Sequence, residues 1–379
     1  HYTLELFMQR LAAIVCHVKG LNAMQNDQTH KVHQTDFTAG SGNALQAVVA
    51  TIFGVQLEEC PNFVQAPEGY EAAMQSWLAA RGWTMKKLPL EDGFLKKSSG
   101  AAPGDKCIVR GSSPRGDFAH VVVGSIKASD DATSETLGVD FWHDPHPDGS
   151  MLKPPLVWVA VFEPSLTLIG HAAFRSFRNV WMLEELGIPY KHIEARPRTA
   201  EANAANPFGK IPSLIDGDFT MYESAAINTY LGDKFRARLG APDLVPRAGT
   251  KERGRYEQLV CCLMAEMDAQ GLWIHRKHES LPKMVPQSFQ AIPEAVTAAR
   301  SHFDKVLGIV LDDLQRSGDY LLGETFSAAD ILFVHCLNWA EAIGWLPAPE
   351  CGDDTPLLAE YLGRCRDRNA YKRAAAKKQ

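Results

Sequence analysis

One short apolar run followed by a helical pattern constrains the fold of this chain more than any other feature. The run Leu166-Thr-Leu-Ile169 predicts a buried strand, and after a polar turn the apolar side chains recur at helical spacing over 180–186. Gly187-Ile-Pro189 then stops the helix, and a second strand is predicted over 190–195. Strand, helix and strand form the start of a βαβ unit, so an α/β domain is expected here.

The chain after this βαβ start continues with short elements and then turns helical. A short helix is predicted over 199–205, strands over 213–215 and 219–221, and a closing helix over 223–235. Ser327-Ala-Ala-Asp330 has the spacing of a capping box at the start of a helix. Beyond Gly240 the periodic segments lie near 251–270, 288–317, 327–343 and 355–371.

The chain changes character near Phe162-Glu163-Pro164. Before this point Gly- and Pro-rich loops connect short strands, and 379 residues are more than one ordinary domain holds. We expect domains over 1–163, 164–240 and 241–379. The fold class is a multidomain combination of an α+β domain, an α/β domain and an all-helical domain.

Composition excludes several classes of partner and suggests a compartment. The formal net charge is −6 and neither half of the chain is basic, so no nucleic acid partner is expected. No apolar stretch approaches the roughly 20 residues of a membrane helix, so no membrane partner is expected either. Eight cysteines without a CxxC pair favour a reducing, cytoplasmic location. Because the chain starts at His1, removal of an organelle-targeting peptide is also an open reading.

Three motifs after residue 166 carry a resemblance to a known family. They are Arg175-Ser-Phe-Arg-Asn-Val-Trp-Met-Leu-Glu-Glu-Leu-Gly-Ile-Pro-Tyr190, Asn206-Pro-Phe-Gly-Lys-Ile-Pro-Ser-Leu214 and Tyr222-Glu-Ser-Ala-Ala-Ile227. Together with the helical part, residues of about 166–371 resemble the glutathione transferases. The resemblance implies a thioredoxin-like domain followed by an all-helical domain, glutathione or a glutathione conjugate as the ligand, and a homodimer.

The resemblance also implies which residues hold glutathione. The proline that matches Pro212 is cis in that family and turns the backbone of Ile211 toward the cysteinyl part of the ligand. Glu223 and Ser224 match the pair that receives the γ-glutamyl end, and Lys210 matches a residue that often faces the glycyl carboxylate. A serine at a helix start suits a carboxylate ligand. The alternative interpretation makes Ser224 an N-cap and Glu223 a partner of the helix dipole.

The sequence indicates the residue that would activate the glutathione thiol less clearly than the residues that would bind glutathione. The stretch His171-Ala-Ala-Phe-Arg-Ser-Phe-Arg178 is similar to a bacterial Ser-Arg-Ser pattern, with Phe174 where the first serine would stand. Ser176 is then the remaining hydroxyl, with Arg175 and Arg178 as electrostatic helpers, or else it is a helix cap. Weak or absent activity is compatible with this pattern. Four residues are candidates for the wall of a hydrophobic co-substrate pocket or for plain core: Trp273, His275, Trp339 and Trp345.

The region before residue 163 combines a buried helix with two polar strand ends. Residues 43–53 are apolar nearly all round and follow a turn-rich segment, which predicts a buried helix starting at Asn43 or Ala44. Residues 118–123 predict a strand that bears His120, and 139–147 a strand that ends in an acidic, histidine-rich turn. A helix start, a strand histidine and an aspartate in this chain order are typical of papain-like cysteine hydrolases.

Five motifs extend this second resemblance over about 34–152. A bacterial branch of the papain-like group shows Gly-Asn-Cys, Pro-Asn-Phe, Ser-Pro-Arg-Gly, His-Ala-Val-Val and His-Asp-Pro-His-Pro. Here the chain departs from the pattern at the nucleophile position, which Ala44 occupies. The corresponding segments are Gly42-Asn43, Pro61-Asn-Phe63, Ser113-Pro-Arg-Gly116, His120-Val-Val-Val123 and His143-Asp-Pro-His-Pro147.

The resemblance implies His120 as the base, Asp144 as the residue that orients it, and Gln34 as an oxyanion donor. A helix N-terminus favours a thiolate, so a cysteine at position 44 would be a nucleophile, and alanine removes covalent catalysis. Ala44 is either an engineered replacement of a cysteine, which we favour, or a feature of a natural pseudoenzyme.

The acidic, histidine-rich turn admits one further interpretation. His143, His146 and Asp148 could instead form a metal site, although they lack the spacing of known zinc motifs.

The two resemblances together predict a fusion protein. The transferase-like half would hold glutathione or a conjugate at high effective concentration, and the papain-like half would cleave or transfer an amide or γ-glutamyl bond of a small amide or peptide. The alternative is a catalytically dead binding or scaffold fusion, in which only the transferase half is active or serves dimerisation.

Overall fold

The structure is a computed structural model that describes residues 30–38, 40–129, 134–236, 242–346 and 355–378. The chain divides into two compact units, one of residues 1–165 with 189–191 and one of residues 166–188 with 192–379. The first 29 residues of the predicted first domain lie outside the described residues. In the described part of the chain, no helix is long and apolar enough to cross a membrane.

The first unit is built on an antiparallel sheet. The described residues place six strands in it, in the spatial order β1-β6-β3-β4-β5-β2. Each neighbouring pair runs antiparallel. The strands are β1 (Trp83–Pro89), β2 (Leu95–Lys96), β3 (Lys106–Ser112), β4 (Ala119–Lys127), β5 (Thr136–His143) and β6 (Lys153–Pro164).

Two helices of the first unit, α1 (Ala44–Phe53) and α2 (Tyr70–Ala79), complete its core. The predicted buried helix is confirmed: α1 begins at Ala44 and ends at Gly54, whose φ of 65° is left-handed. Side chains alternate between two apolar clusters, as strand geometry requires. One cluster joins the helices to the sheet through Val48, Met74, Ile108, Val123 and Ala160, and the other draws Leu88, Leu95, Val109, Val122, Leu137 and Val159 from the six strands.

The second unit opens with the predicted strand and helix. Its four-stranded sheet has the order β10-β9-β7-β8, and β9 pairs antiparallel with both β7 and β10. The elements are β7 (Leu166–Ile169), α3 (Phe177–Leu186), β8 (Tyr190–Ile193), α4 (Ala200–Ala205), β9 (Ser213–Asp216), β10 (Phe219–Tyr222) and α5 (Ser224–Lys234).

Helices dominate the chain after residue 250. Residues 251–284 are helical throughout, with π-helical turns at Leu263–Leu272 and Arg276–Ser280. The α-helical parts are α6 (Lys251–Cys262), α7 (Trp273–His275), α8 (Leu281–Met284), α9 (Pro293–Ser317), α10 (Ala328–Ala342), α11 (Thr355–Asp367) and α12 (Asn369–Ala376).

The predicted capping box at the start of α10 is confirmed. Asp330 Oδ2 accepts hydrogen bonds from Ser327 N at 2.9 Å and from Ser327 Oγ at 2.8 Å. The other oxygen accepts from Leu321 N at 3.0 Å and from the Tyr361 hydroxyl at 2.9 Å. The buried carboxylate therefore ties the start of α10 to α11 as well as to its own first turn.

Three predicted boundaries differ from the structure. The strand expected over 190–195 ends at Ile193, because Ala195 N bonds to Ile193 O in a local turn instead of a neighbouring strand. The helix expected from residue 288 begins at Pro293, whose fixed φ and missing N–H suit a first helical position. The helix expected to end near residue 270 continues through its π-helical turns to Met284.

Candidate functional site

A buried histidine and aspartate contact each other in the first unit. His120 is the second residue of β4, and Asp144 directly follows the end of β5. His120 Nε2 donates to Asp144 Oδ1 at 2.8 Å, and both side chains are almost fully buried. Within the described residues Nδ1 of this ring has no hydrogen-bond partner, so the carboxylate fixes the ring through one nitrogen and leaves the other available as a base.

Asp144 accepts four hydrogen bonds. Oδ1 also accepts from the backbone N–H of His146 at 2.9 Å. Oδ2 accepts from Met151 N at 2.8 Å and from Arg115 Nη2 at 2.5 Å. Burial opposes ionisation, but the bonds from His120, the His146 backbone and Arg115 outweigh it and lower the pKa of Asp144 to about 2. The carboxylate is therefore ionised and rigidly placed.

Arg115 binds the buried pair directly, and the sequence analysis did not single it out. Besides Asp144 it binds Asp148, with Nε at 2.9 Å from Oδ2 and Nη2 at 2.6 Å from Oδ1. The turn that carries it is held by Ser113 Oγ, which accepts from Arg115 N at 3.2 Å. A Cβ at Gly116 would come within 2.8 Å of the Phe118 ring. The only sequence signal for Arg115 was its place in the Ser-Pro-Arg-Gly motif.

A short segment, residues 34–36, connects the start of α1 at position 44 with the turn that carries Asp144. Asn43 Oδ1 accepts from Thr35 N at 3.0 Å and from Asp36 N at 2.9 Å, and Gln34 N donates to Pro145 O at 3.0 Å. Residues 34–36 thus bridge the start of α1 and the turn that carries Asp144. The structure brings the regions of positions 34, 44 and 144 together, and residue 44 is partly exposed.

The side chain of Asn43, the residue before α1, does not cap the first turn of the helix. Asn43 makes no capping bond to the helix because its oxygen serves residues 35 and 36. The first intrahelical bond runs from Ala47 N to Asn43 O at 3.1 Å, which leaves the N–H groups of 44–46 without a backbone acceptor in the described residues. Free N–H groups at this end favour negative charge beside position 44.

Gln34 is buried, and its side-chain amide nitrogen already donates a hydrogen bond, unlike that of a free oxyanion donor. Its Nε2 donates to Asp36 O at 3.2 Å. Its Oε1 is buried and has no hydrogen-bond partner in the described residues. The role of Gln34 as an oxyanion donor stays a prediction.

The three residues of the metal interpretation have other partners. His143 Nε2 donates to Val32 O at 2.9 Å, and burial lowers the pKa of this ring. His146 Nδ1 lies 3.0 Å from Asp148 Oδ1, and Asp148 is bound by Arg115. In the described segments no three potential metal ligands gather into one group.

In the second unit, the loop before β9 meets the turn after β7. The peptide bond between Ile211 and Pro212 is cis, and both residues are buried. Gly170, at the end of β7, has a φ of 140°. A Cβ at that position would overlap Ser176 Oγ and lie 3.0 Å from Ile211 Cβ. Glycine is therefore required where these three residues converge.

Ser224 is the first residue of α5, and a buried arginine contacts its hydroxyl. Glu223 holds the N-cap position with a φ of 73° and makes no side-chain capping bond. The interpretation of Ser224 as an N-cap is therefore wrong. Its Oγ accepts from Arg178 Nη1 at 3.1 Å. The first intrahelical bond runs from Ile227 N to Glu223 O at 2.9 Å, so three N–H groups at this end have no backbone acceptor in the described residues.

Comparison with known proteins assigns this second unit. Residues 175–234 match the family described as glutathione S-transferase, N-terminal domain, and residues 293–364 match glutathione S-transferase, C-terminal domain. Residues 175–364 hold the two domains of a glutathione S-transferase. The α/β domain and the helical domain predicted from the motifs are thereby confirmed.

Several known proteins are similar to part of this chain. Glutathione S-transferase 1 of Schizosaccharomyces pombe is 28% identical over 194 residues, which are 47% of this chain and 76% of the relative. Glutathione S-transferase F10 of Arabidopsis thaliana is 26% identical over 217 residues, 56% of this chain and 97% of the relative. Among solved structures, the transferase URE2P6 of Phanerochaete chrysosporium in complex with oxidized glutathione has a TM-score of 0.47 at 24% identity, covering 56% of this chain and 96% of that one.

Within the transferase domains, Ser176 is completely buried. Its Oγ has no hydrogen-bond partner in the described residues and lies against Gly170 and Ile211. Ser176 is the N-cap residue of α3, as the helix-cap alternative expects, but its side chain makes no capping bond. The placement beside Ile211 keeps Ser176 near the predicted ligand, although solvent does not reach its hydroxyl. Its catalytic role stays a prediction.

Asp268 of the transferase helical domain was not predicted as a site residue, and it binds both arginines of the motif. Its carboxylate accepts from Arg178 Nη2 at 2.5 Å and forms a second ion pair with Arg175. Burial opposes its ionisation, but the two guanidinium groups hold the pKa of Asp268 well below its usual range. Asp268 lies 90 residues from Arg178 in sequence, so no local pattern pointed to it.

The four aromatic-wall candidates divide into two pairs. Trp273 and Trp339 are partly exposed, and the Arg175 guanidinium lies 5.2 Å and 4.9 Å from their ring centroids. His275 and Trp345 are buried and contact each other edge to face, with ring centroids 5.1 Å apart. The second pair is core, so its assignment to a pocket wall is wrong, whereas the first pair remains available.

Lys210 of the transferase N-terminal domain is exposed. Its Nζ lies 5.8 Å from the ring centroid of Phe208, which is itself 67% exposed. The charge therefore stands in solvent directly before Ile211, where a mobile ligand group can reach it.

Proposed function

We propose that the transferase half binds glutathione and conjugates it to an electrophile. The observation that carries this proposal is the helix start at Ser224. Three free N–H groups and a hydroxyl held by Arg178 converge there, and both favour a carboxylate ligand. The sequence relatives are named glutathione S-transferases, which is in keeping with this ligand.

The remaining ligand contacts follow from the residues around this helix start. Ser224 and Glu223 would receive the γ-glutamyl end, the backbone of Ile211 the cysteinyl part, and Lys210 the glycyl carboxylate. Arg175 and Arg178 share a single carboxylate, so this region keeps a positive excess that favours ionisation of a bound thiol. Ser176 is proposed as the hydroxyl of that thiol site.

Isothermal titration with glutathione tests the ligand site. Ser224→Ala should weaken binding roughly 10- to 100-fold, because a charge-assisted hydrogen bond is lost. Ser301→Ala is the matched control, since Ser301 is exposed on α9 and should leave affinity unchanged. Equal affinity of the native chain and Ser224→Ala would remove Ser224 from the site, and absence of any binding heat would refute the glutathione proposal.

We also propose that the chain forms a homodimer through its transferase half. A multi-angle light-scattering mass of twice the chain mass is expected at micromolar concentration. A single-chain mass that persists at the highest soluble concentration would contradict this.

The buried His120–Asp144 pair favours a second candidate function for the first unit. We propose a papain-like thiol hydrolase or acyltransferase geometry, with His120 as the base, Asp144 as its orienting residue, and Gln34 at the oxyanion position. A cysteine at position 44 would lie at the uncapped start of α1, where free N–H groups stabilise a thiolate. Its sulfur would attack the acyl carbon of a small amide or peptide, and His120 would return the proton to the departing amine.

Alanine at position 44 has no sulfur, so this chain would hold a substrate without forming the acyl intermediate. We favour an engineered replacement, because His120, Asp144 and their hydrogen bonds are all retained. The rival proposal is a binding or scaffold protein in which the transferase half alone is active.

Alkylation by iodoacetamide of an Ala44→Cys variant tests the second candidate. The introduced thiol should react selectively near pH 6, and His120→Ala should abolish that selectivity. The buried thiols are internal controls, because burial raises the pKa of Cys60, Cys107, Cys336 and Cys365 to about 12. Reaction of the introduced thiol no faster than that of the exposed Cys261 would exclude an activated nucleophile.

A further inference from the structure

The transferase half carries a cluster of cations that its own carboxylates do not balance. Arg175 and Arg178 share Asp268, and a third guanidinium, that of Arg276, belongs to the helical segment after α7. These three positive groups outnumber the two carboxylates, Asp268 and Glu223, that act on Arg175. A partly buried excess of this kind is costly unless an anion binds beside it.

Arg276 is the member of the cluster with no acidic partner. In the described part of the chain its side chain forms no ion pair and no hydrogen bond, although it is only partly exposed. Burial lowers the pKa of Arg276, and the like charge of Arg175 lowers it further. Its guanidinium lies 5.8 Å from the ring centroid of Phe174.

Accessible aromatic rings lie beside Arg276 and beside Arg175. Phe174 lies beside Arg276, whereas Trp273 and Trp339 lie beside Arg175. All three rings are partly exposed. Flat aromatic faces beside cations are suited to a planar, electron-poor ring that carries a negative substituent. A neutral apolar ligand would cover the Arg276 guanidinium more deeply and would supply no counter-charge.

The cluster lies beside the proposed glutathione site. Glu223, which precedes Ser224, contributes to the electrostatic field at Arg175. Asp268 contacts Arg178, and Arg178 contacts the Ser224 hydroxyl. Phe174 directly precedes Arg175 in the chain, so a ligand on Arg276 and Phe174 would lie close to the proposed glutathione site.

We propose that Arg276, together with Phe174 and Trp273, binds a co-substrate that is aromatic and carries a carboxylate or sulfonate. This rests on the proposed glutathione conjugation. With a chloronitroarene the glutathione thiolate attacks the ring carbon that bears chlorine. A C–S bond forms, the C–Cl bond breaks and chloride leaves, while the thiol proton passes to solvent. Arg276 pairs with the anionic substituent and does not touch the reacting atoms.

Two electrophiles of almost identical shape test the inference, 4-chloro-3-nitrobenzoate and 4-chloro-3-nitrobenzamide. Arg276→Met should lower kcat/KM for the benzoate about 10-fold through KM, because an ion pair is lost, and should leave the benzamide within about twofold. Arg276→Lys should restore part of the benzoate activity. Lys277→Met removes the same charge from the exposed neighbouring residue and should change neither substrate.

Direct binding separates this inference from the proposed function. Quenching of tryptophan fluorescence by 3-nitrobenzoate and 3-nitrobenzamide needs no glutathione and no turnover. Tighter binding of the benzoate that is lost in Arg276→Met, at unchanged affinity for glutathione, supports the inference. Equal binding of both ligands overturns it even if glutathione binds, whereas a chain that binds the benzoate but not glutathione overturns only the proposed conjugation.

Discussion

Arg115 holds Asp144 at the carboxylate oxygen that His120 does not use. The imidazole binds Oδ1 and the guanidinium binds Oδ2, so the two contacts do not compete. Asp148 holds the same guanidinium through Nε and Nη2. A rotation of Asp144 would therefore break its contacts with both Arg115 and His120. The orientation of the proposed base therefore depends on a residue 29 positions away from Asp144 in sequence.

Replacing Arg115 should weaken the hydrogen bond between His120 and Asp144 without abolishing it. Arg115→Met keeps much of the side-chain volume but deletes the charge, and we expect it to lower the free energy of unfolding by about 2 kcal/mol. It should also broaden the imidazole NMR signals of His120, since Asp144 loses one of its four donors. Arg110→Met is the control, because Arg110 lies in β3 and has no ion pair in the described residues. Equal stability of the two variants would show that Arg115 does not hold Asp144.

Acid should destabilise the first unit through Asp144. Its pKa is about 2 in the folded chain and 3.8 ordinarily, so the carboxylate stabilises the fold above pH 3.8 and loses this contribution as the pH falls toward 2. The contribution is about 2 kcal/mol. Urea unfolding of the native chain and Asp144→Asn between pH 5 and pH 2 measures it. The difference in stability should shrink with falling pH, and a constant difference would contradict the assignment.

Gly170→Ala should damage the transferase half. The added Cβ overlaps Ser176 Oγ, and the φ of 140° is strained for any L residue. We expect a loss of at least about 2 kcal/mol in stability and weaker glutathione binding, measured by thermal unfolding and titration calorimetry. Gly254→Ala is the control: its Cβ meets nothing within 4 Å inside α6, so it should be neutral or slightly stabilising. Similar melting temperatures for both variants would refute the packing argument.

Neutralising Asp268 should be more costly than neutralising an exposed carboxylate. Asp268→Asn leaves Arg175 and Arg178 without their shared partner, and Arg178 is almost completely buried. A destabilisation of about 3 kcal/mol is expected in urea unfolding. Asp312→Asn, on the exposed face of α9, should change stability by less than about 0.5 kcal/mol. A small effect of Asp268→Asn would mean that solvent or another group compensates the two arginines.

Local patterns in the sequence determined much of this protein. The alternation after Leu166, the apolar helix from Ala44 and the capping box at Ser327 depend on neighbouring residues, and each is present in the structure. Such elements follow from side-chain periodicity and capping, which act over a few residues.

Only the tertiary structure decided which charges meet. The contacts of Arg115 with Asp144 and of Arg178 with Asp268 join distant segments, and no periodic pattern marks their partners. The same reason explains why His275 and Trp345 proved to be core while Trp273 and Trp339 stayed accessible. Burial and ion pairing depend on how complete elements pack, whereas a sequence pattern reports only the faces that each element presents.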